Sequence, residues 1–404
     1  MLNLPLGHKL SRHLTIISAS VLVVLLIAWI RTDPTQNLQT DWTAFDNAGD
    51  RLLAGETVYR PFSFESEPLP YLYPPFALWL ALPLTLFGFW GSFITSALMA
   101  LAPNIAGLRL FSRSEGIQRD RSTGIIVAVA SGATISSTLI GQYSGFYVLA
   151  FGAAVLAYRR ERHLLSGVAL ALLWLKPNIA IAVPVVLLWS RSWRSLTGFG
   201  LGTAGMALLS LPFGIGQWGG FISNIRNIAD LQEQGLVPVD KMITVLSTFQ
   251  NLFGLESSTA VSAAIWLPIA LVLGIAILTL WTPARLAESP VRAFGALALF
   301  VVAANPRMYF YDGTLVALGL FGLWLHFQAN GDDRSKRIVS MLGLVAWFGL
   351  WGNISTPLNV IVGPTIAMAL IVAAIESRRA AVAENVVSAD FVPSELEITG
   401  DLAA

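Results

Sequence analysis

The sequence contains no cysteine and little charge. Asp, Glu, Lys and Arg make up 12% of its 404 residues, against roughly 25% in a typical soluble domain. The absence of cysteine excludes disulfides and thiol chemistry but does not indicate a compartment. No charged block is long enough to form a domain, which excludes a soluble enzyme on one anchor. The net charge of +1 gives no reason to expect a nucleic-acid partner.

What the chain has instead is apolar sequence. Hydrophobic residues make up 55% of it and the mean hydropathy is +0.67. Runs of membrane-spanning length recur throughout, so we expect an all-α polytopic membrane protein with about 12 transmembrane helices and interfacial helices in its outer loops. The first run is too long for a cleaved signal and is interpreted as a retained signal-anchor. The predicted spans are 14–30, 91–111, 123–140, 143–158, 164–175, 178–190, 196–212, 259–282, 293–304, 309–327, 338–353 and 358–375.

The basic residues predict the orientation. Counted as a span, the run Phe76–Phe89 gives a thirteenth helix; counted as an interfacial or re-entrant helix, it places most Lys and Arg in loops on one side. The positive-inside rule favours the second choice and makes that side cytoplasmic. Pro74, Pro75 and Pro83 also suit a short helix entered through a turn. We therefore expect a multi-pass plasma-membrane protein with both termini cytoplasmic.

The predicted organisation is one membrane domain, residues 1–379, and a polar, disordered cytoplasmic tail, residues 380–404. Two large outer loops interrupt the domain at 31–90 and 213–258. The second contains an amphipathic helix, Gln217–Gln234, expected to lie along the membrane surface.

Several unusual polar residues fall on the predicted outer side. An ionisable group near hydrocarbon is costly and normally faces a wet or protein-lined cavity. Asp41 can act as a general base toward a sugar hydroxyl, and Lys176 and Arg307 suit a phosphate. The short spans joined at Lys176-Pro177-Asn178 are typical of cavity linings. The remaining candidates for substrate binding are Tyr59, Tyr71, Tyr73, Gln142, Asn178, Tyr309, Tyr311 and Asp312.

Each candidate also has a structural interpretation. Asp41 is a favoured helix N-cap for the amphipathic run that follows it, and Lys176 can extend to the headgroups. Arg307 and Asp312 can form a structural ion pair, and Gln142 lies in a glycine-containing turn. The Tyr-Leu-Tyr-Pro-Pro run at 71–75 is also typical of an aromatic belt followed by a turn. Their location on one predicted face favours a shared site.

A family resemblance rests on these same residues. Asp41-x3-Phe45-x2-Ala48-Gly49-x2-Leu52-Leu53-x-Gly55-x3-Tyr59, followed by Tyr71-Leu72-Tyr73-Pro74-Pro75 and Leu82-Pro83-Leu84, resembles the first outer loop of glycosyltransferase family 87. That family comprises GT-C enzymes that use polyprenyl-phosphate sugars. Later segments resemble its further motifs in the same order: Gly141-Gln142, Ser166-Gly167, Leu175-Lys176-Pro177 and Asn305-Pro306-Arg307-x-Tyr309-x-Tyr311-Asp312. The resemblance covers about residues 14–330.

The resemblance implies a GT-C fold with an extracytoplasmic active site, an inverting mechanism, a polyprenyl-phosphate sugar donor and a glycan or glycolipid acceptor. Asp41 matches the base, and Lys176 and Arg307 match positions near the lipid phosphate. Phe45 stands where the family often has Tyr. The segment at 305–308 departs from the version in actinobacterial mannosyltransferases, so mannose, another hexose and arabinofuranose all stay open. No metal is expected, because no acidic pair of the DxD type lies on the predicted outer face and Asp332-Asp333 is cytoplasmic in the predicted topology. No cofactor is expected either.

Two other classes compete with a transferase. Broken helices and buried charge also suit a lipid-linked sugar transporter or flippase. Against it, the polar groups within the predicted spans cluster on the outer side, and the two halves do not match. A non-catalytic scaffold for envelope assembly is the third class, which Asp41 disfavours.

Overall fold

The computed structural model describes residues 41–60, 70–114, 121–234, 238–255, 259–351 and 356–390. Within these ranges the chain is all-α, as predicted, and one isolated antiparallel bridge joins Met242 to Tyr309. The first predicted span, 14–30, and residues 391–404 lie outside the described ranges.

The helices connect through short turns and 3-10 segments. The α-helices are α1 (Asp41–Leu53), α2 (Leu78–Ala81), α3 (Phe89–Arg113), α4 (Arg121–Val129), α5 (Gly132–Ile140), α6 (Ser144–Arg159), α7 (His163–Ala171), α8 (Pro177–Ala180), α9 (Ala182–Trp189), α10 (Trp193–Leu209), α11 (Gly216–Glu233), α12 (Val245–Phe253), α13 (Thr259–Leu280), α14 (Pro283–Glu288), α15 (Pro290–Ala303), α16 (Thr314–Ala329), α17 (Asp333–Gly349) and α18 (Val362–Asp390). The 3-10 segments are Pro75–Ala77, Leu84–Leu86, Leu172–Leu175, Leu211–Phe213, Val239–Lys241, Phe310–Gly313 and Thr356–Ile361.

Within the described ranges, five segments are long and apolar enough to cross a membrane, which supports a multi-pass membrane protein. The central one contains α16, since it is by far the most buried of the five. The short spans predicted on either side of Lys176 are short in the structure as well, His163–Leu175 and Pro177–Trp189. The five long segments are Phe89–Arg113, Trp193–Phe213, Ala260–Leu280, Phe310–Ala329 and Leu358–Ala380.

Two predicted elements differ in the structure. The predicted span 123–140 is broken between α4 and α5, because Ser131 caps α5 by accepting a hydrogen bond from the backbone N–H of Thr134 at 3.3 Å. The last helix continues past Ala380 to Asp390, since several alanines in this stretch favour helix over the predicted disorder.

The described parts of the predicted first outer loop pack against each other. The segment Pro75–Leu86 is too short to cross about 30 Å of hydrocarbon at 1.5 Å per residue. The apolar face of α1, including Trp42, Phe45 and Ala48, is buried, which confirms the predicted amphipathic helix. At Gly49 an added Cβ would overlap Thr85, so α1 lies directly against this segment.

Glycines allow close helix contacts inside the bundle. An added Cβ on Gly107 of α3 would overlap the backbone of Val148 in α6, and one on Gly152 would overlap Gly107. Gly167 of α7 lies equally close to the backbone of Ser195 in α10. Such contacts suit membrane helices, which pack through small residues. They hold α6 and α7 beside the loops that carry Gln142 and Lys176.

A buried charged cluster that the sequence analysis did not identify lies at the far end of α15 from Arg307. Arg292 is 2% exposed, forms an ion pair with Glu288 at 3.1 Å and donates to His326 Nε2 at 3.3 Å. Buried polar groups are therefore not confined to the predicted outer side, so their distribution does not exclude a transporter.

Candidate functional site

Asp41 lies in the first turn of α1 and takes its position from the packing of that helix. Phe45, one turn later, contacts the rings of Tyr71, Tyr73 and Tyr143, with centroids 5.3, 4.6 and 4.3 Å away. These aromatic contacts fix α1 against the Tyr71–Pro75 run. Asp41 itself stays partly accessible.

Gln142 connects Asp41 to the tyrosines of the first outer loop. Its Nε2 donates to the Asp41 carboxylate, and its Oε1 accepts from the hydroxyl of Tyr73 at 2.5 Å. The hydroxyl of Tyr59 donates in turn to the carbonyl of Tyr73 at 2.6 Å. Gln142 follows Gly141, which ends α5 with a left-handed φ of 75° and turns the chain sharply. The Gln142 side chain therefore acts as a fixed amide donor to the carboxylate.

The environment raises the pKa of Asp41 to about 7. Burial of the carboxyl group is the largest cause, and the charge of Asp312 adds to it. Lys176 and Lys241 oppose the rise. A carboxylate that titrates near neutrality suits proton abstraction from a hydroxyl.

Lys176 is paired with Asp312. Its Nζ forms an ion pair with Asp312 Oδ2, which also accepts from the backbone N–H of Tyr309 at 3.0 Å. The Nζ lies 5.3 Å from the centroid of the Tyr311 ring, within range of a cation–π interaction. Asp312 is thus bonded to Lys176, not to Arg307 as one alternative interpretation expected. The side chain of Asp312 is 1% exposed and that of Lys176 19%, so the pair is largely buried.

The two halves of the site meet. Asp41 interacts electrostatically with both Lys176 and Asp312. The hydroxyl of Tyr73 interacts electrostatically with the carboxylates of Asp41 and Asp312. The ring of Tyr311 stacks on that of Tyr309, with centroids 5.5 Å apart. Tyr311 also interacts electrostatically with Asp41. Residues of the first predicted outer loop, the turn after α5, the Lys176 hinge and the segment before α16 therefore lie in one cluster.

Asn178 and Asn305 hold the segment that carries Arg307. Asn178 Nδ2 donates to Asn305 Oδ1 and to the carbonyl of Arg307, each at 3.1 Å. Asn305 Nδ2 donates back to the carbonyl of Asn178 at 3.0 Å. The amide of Asn178 is therefore used within the protein. The described residues supply no ion-pair partner for the guanidinium of Arg307, and none of their contacts joins it to Asp41.

Comparison with known proteins identifies the family. The family model of glycosyltransferase family 87 matches residues 71–306, more than half of the chain. The chain belongs to glycosyltransferase family 87. No curated protein and no solved structure gives a significant match. Family membership implies a transferase that acts on a sugar donor and an acceptor.

The matched range contains only part of the site of this family 87 protein. It includes Tyr73, Gln142 and Lys176 but stops short of Asp41 and Asp312 at its two ends. The roles of those two residues therefore rest on the contacts just described.

The second outer loop contributes to the site of this family 87 protein, which sequence reasoning missed. Ile243 donates its backbone N–H to the carbonyl of Met308 at 2.9 Å, beside the bridge between Met242 and Tyr309. The exposed Lys241 precedes this contact, and its charge lowers the pKa of Asp41. The only signal in the sequence was that Lys241 is one of few basic residues on the predicted outer side.

Tyr59 and Tyr71 form the wall behind the site. Both are almost fully buried, and their rings contact each other with centroids 5.6 Å apart. Two residues of α11 contact them. The ring of Phe221 lies 6.1 Å from that of Tyr59, centroid to centroid, and Asn224 Nδ2 donates to the carbonyl of Tyr71 at 3.3 Å. The amphipathic helix of the second loop is therefore fastened to the first loop.

The described residues contain no group of three or more His, Asp or Glu side chains that could hold a metal ion.

Proposed function

We propose that this family 87 protein transfers a sugar from a polyprenyl-phosphate donor to a cell-envelope glycan or glycolipid on the extracytoplasmic face. The observation that carries the proposal is the Asp41 carboxylate, held by Gln142, with a pKa of about 7, beside the Lys176–Asp312 pair. A proton acceptor near a cation supports this proposal.

The proposed reaction is a single displacement. Asp41 takes the proton of an acceptor hydroxyl as its oxygen attacks the anomeric carbon. A bond forms between that oxygen and the anomeric carbon, while the bond from the carbon to the phosphate oxygen breaks. The polyprenyl phosphate leaves with the electron pair, and the configuration at the anomeric carbon inverts.

The cations differ in their part in this reaction. The charge of Lys176 is neutralised by Asp312. The pair therefore offers the phosphate an N–H donor without adding net charge. Arg307 is without an ion-pair partner among the described residues and can engage the departing phosphate through two N–H groups. Charge growing on that phosphate is stabilised most by Arg307.

The donor sugar is proposed to be a hexose, with mannose first and arabinofuranose as the alternative. Membrane fractions offered radiolabelled polyprenyl-phosphate mannose, glucose or arabinose, with simple glycan acceptors, distinguish them by which label is incorporated. Incorporation from none of the three would contradict the proposal and favour a lipid-linked sugar transporter.

The base is tested by Asp41→Asn, with Asp50→Asn as the matched control. Asp50 is an exposed carboxylate of the same helix, so its loss should leave transfer unchanged. We expect Asp41→Asn to abolish transfer while the protein stays folded and still binds the lipid donor. Turnover near that of the wild type would remove Asp41 from the role of base.

A further inference from the structure

An apolar cleft lies inside the bundle, between α4, α16 and α17. Its volume is about 250 Å³, larger than the voids that close-packed protein interiors leave. Its lining is mainly apolar and includes Gly124, Val316, Leu320, Trp324, Gly343 and Leu350.

One end of the cleft adjoins the candidate site. Gly313 directly follows Asp312, and a Cβ added to it would overlap the side chain of Leu350. Leu350 also lines the cleft. The side chain of Leu350 therefore lies between the cleft and the backbone beside the Lys176–Asp312 pair, next to that of Ala133.

The cleft then runs away from the site along α16. Val316, Leu320 and Trp324 are spaced four residues apart and so share one helix face. Eight residues at 1.5 Å each carry this face about 12 Å along the helix axis. The helix belongs to a segment that is long and apolar enough to cross a membrane, so the cleft runs along a membrane-spanning segment.

A cleft of this kind suits hydrocarbon better than water. Its mainly apolar lining gives water few hydrogen-bond partners, and if left empty its walls would lose van der Waals contacts. A lipid whose phosphate sits at Lys176 or Arg307 must pass its chain from the pocket into the membrane. The end beside Asp312 lies where such a chain would start.

We propose that the cleft between α4, α16 and α17 binds the phosphate-proximal isoprene units of the donor lipid. This inference rests on the proposed polyprenyl-phosphate donor. The site is distinct from the sugar pocket and selects for the chain, not for the sugar.

Filling the cleft tests the assignment. Gly343 of α17 lines it, and a Cβ added there meets nothing within 4 Å, so Gly343→Phe places a ring in the cleft without a backbone clash. Gly274 of α13 is the matched control, since a Cβ there also meets nothing within 4 Å and the residue is not among those lining the cleft. Each variant is assayed in vesicles with the active donor sugar carried on a long polyprenyl chain or on a short geranyl chain.

We expect Gly343→Phe to raise the KM for the long-chain donor about tenfold or more, a loss of about 1.4 kcal/mol in binding, and to leave the KM for the geranyl donor within twofold. Gly274→Phe should change neither. An equal change for both donors, or no change for either, overturns the chain site. If the change in KM depends on the vesicle lipid and not on the donor chain, the cleft binds a bilayer lipid. That result also overturns the chain site. Absence of transfer by the wild type from either donor contradicts the proposed function itself.

Discussion

Gln142 donates a hydrogen bond to the carboxylate of Asp41, a residue 101 positions earlier in the chain. The same amide accepts from the hydroxyl of Tyr73. Because Tyr73 occupies the oxygen, the nitrogen is left to face Asp41, and the carboxylate is oriented by a neutral donor.

The contact between Gln142 and Asp41 predicts a large effect of Gln142→Leu on turnover. Loss of a hydrogen bond to a charged group costs about 1.5–3 kcal/mol, which corresponds to a rate loss of about 10- to 100-fold. The control is Gln250→Leu, which removes a buried amide that donates to Ser262 at 3.0 Å within the second outer loop and α13. Equal losses of turnover in the two variants would assign Gln142 a purely structural role.

The pKa of Asp41 predicts the pH dependence of transfer. The base must be ionised, so kcat/KM should be constant above about pH 7 and fall about tenfold for each pH unit below it. Lys241 lowers this pKa, so Lys241→Met should move the acidic limb to higher pH. Arg226→Met, at an exposed cation of α11, should not move it. A limb near pH 4 in the wild type would contradict the raised pKa.

The ion pair between Lys176 and Asp312 predicts that loss of either partner alone destabilises the protein. Lys176→Met leaves the buried Asp312 without its counter-charge, which should cost about 3–5 kcal/mol. The double variant Lys176→Met with Asp312→Asn should recover much of the melting temperature but not the turnover. Glu56→Gln, which breaks an exposed pair with Arg60, should cost at most about 1 kcal/mol.

Thermal unfolding in detergent, together with turnover, distinguishes the outcomes for this pair. A double variant as unstable as either single variant would show that the unpaired charge is not the cause. Retained turnover would show that catalysis does not need the Lys176 ammonium.

Gly141 predicts a packing effect next to the site. Gly141 and Gly254 both end helices with a left-handed φ, 75° and 60°, and an alanine in that conformation costs about 1–2 kcal/mol. At Gly254 a Cβ would meet open space, whereas at Gly141 it would overlap Trp42, the neighbour of Asp41. Gly141→Ala should therefore lower both melting temperature and turnover, and Gly254→Ala only the former. Similar turnover in the two variants would contradict the close contact.

Local features of the site were predictable from the sequence. The spacing of Trp42, Phe45 and Ala48 indicates an amphipathic helix, and the glycine before Gln142 indicates a turn. Proline after Lys176 indicates the break between two short helices. Each of these signals depends on a few neighbouring residues, so it predicts local structure without knowledge of the rest of the chain.

The partners of the charged groups were not predictable in the same way. The structural alternative for Asp312 paired it with nearby Arg307, but Asp312 bonds Lys176, 136 residues away. Asn178 was expected to face substrate, but its amide holds the Arg307 segment. Lys241 lies near the site because the backbone of Ile243 bonds that of Met308, a contact that no sequence motif indicates.

The amino-acid sequence by itself determined an apolar, helical membrane protein of glycosyltransferase family 87, with its breaks and amphipathic faces, because hydropathy and local spacing act along the chain. Only the tertiary structure decided which carboxylate faces which cation, and where the cleft beside Asp312 leads. Those relationships depend on helices brought together through glycine contacts, and electrostatic energies depend on distance and burial that a linear order of residues does not contain.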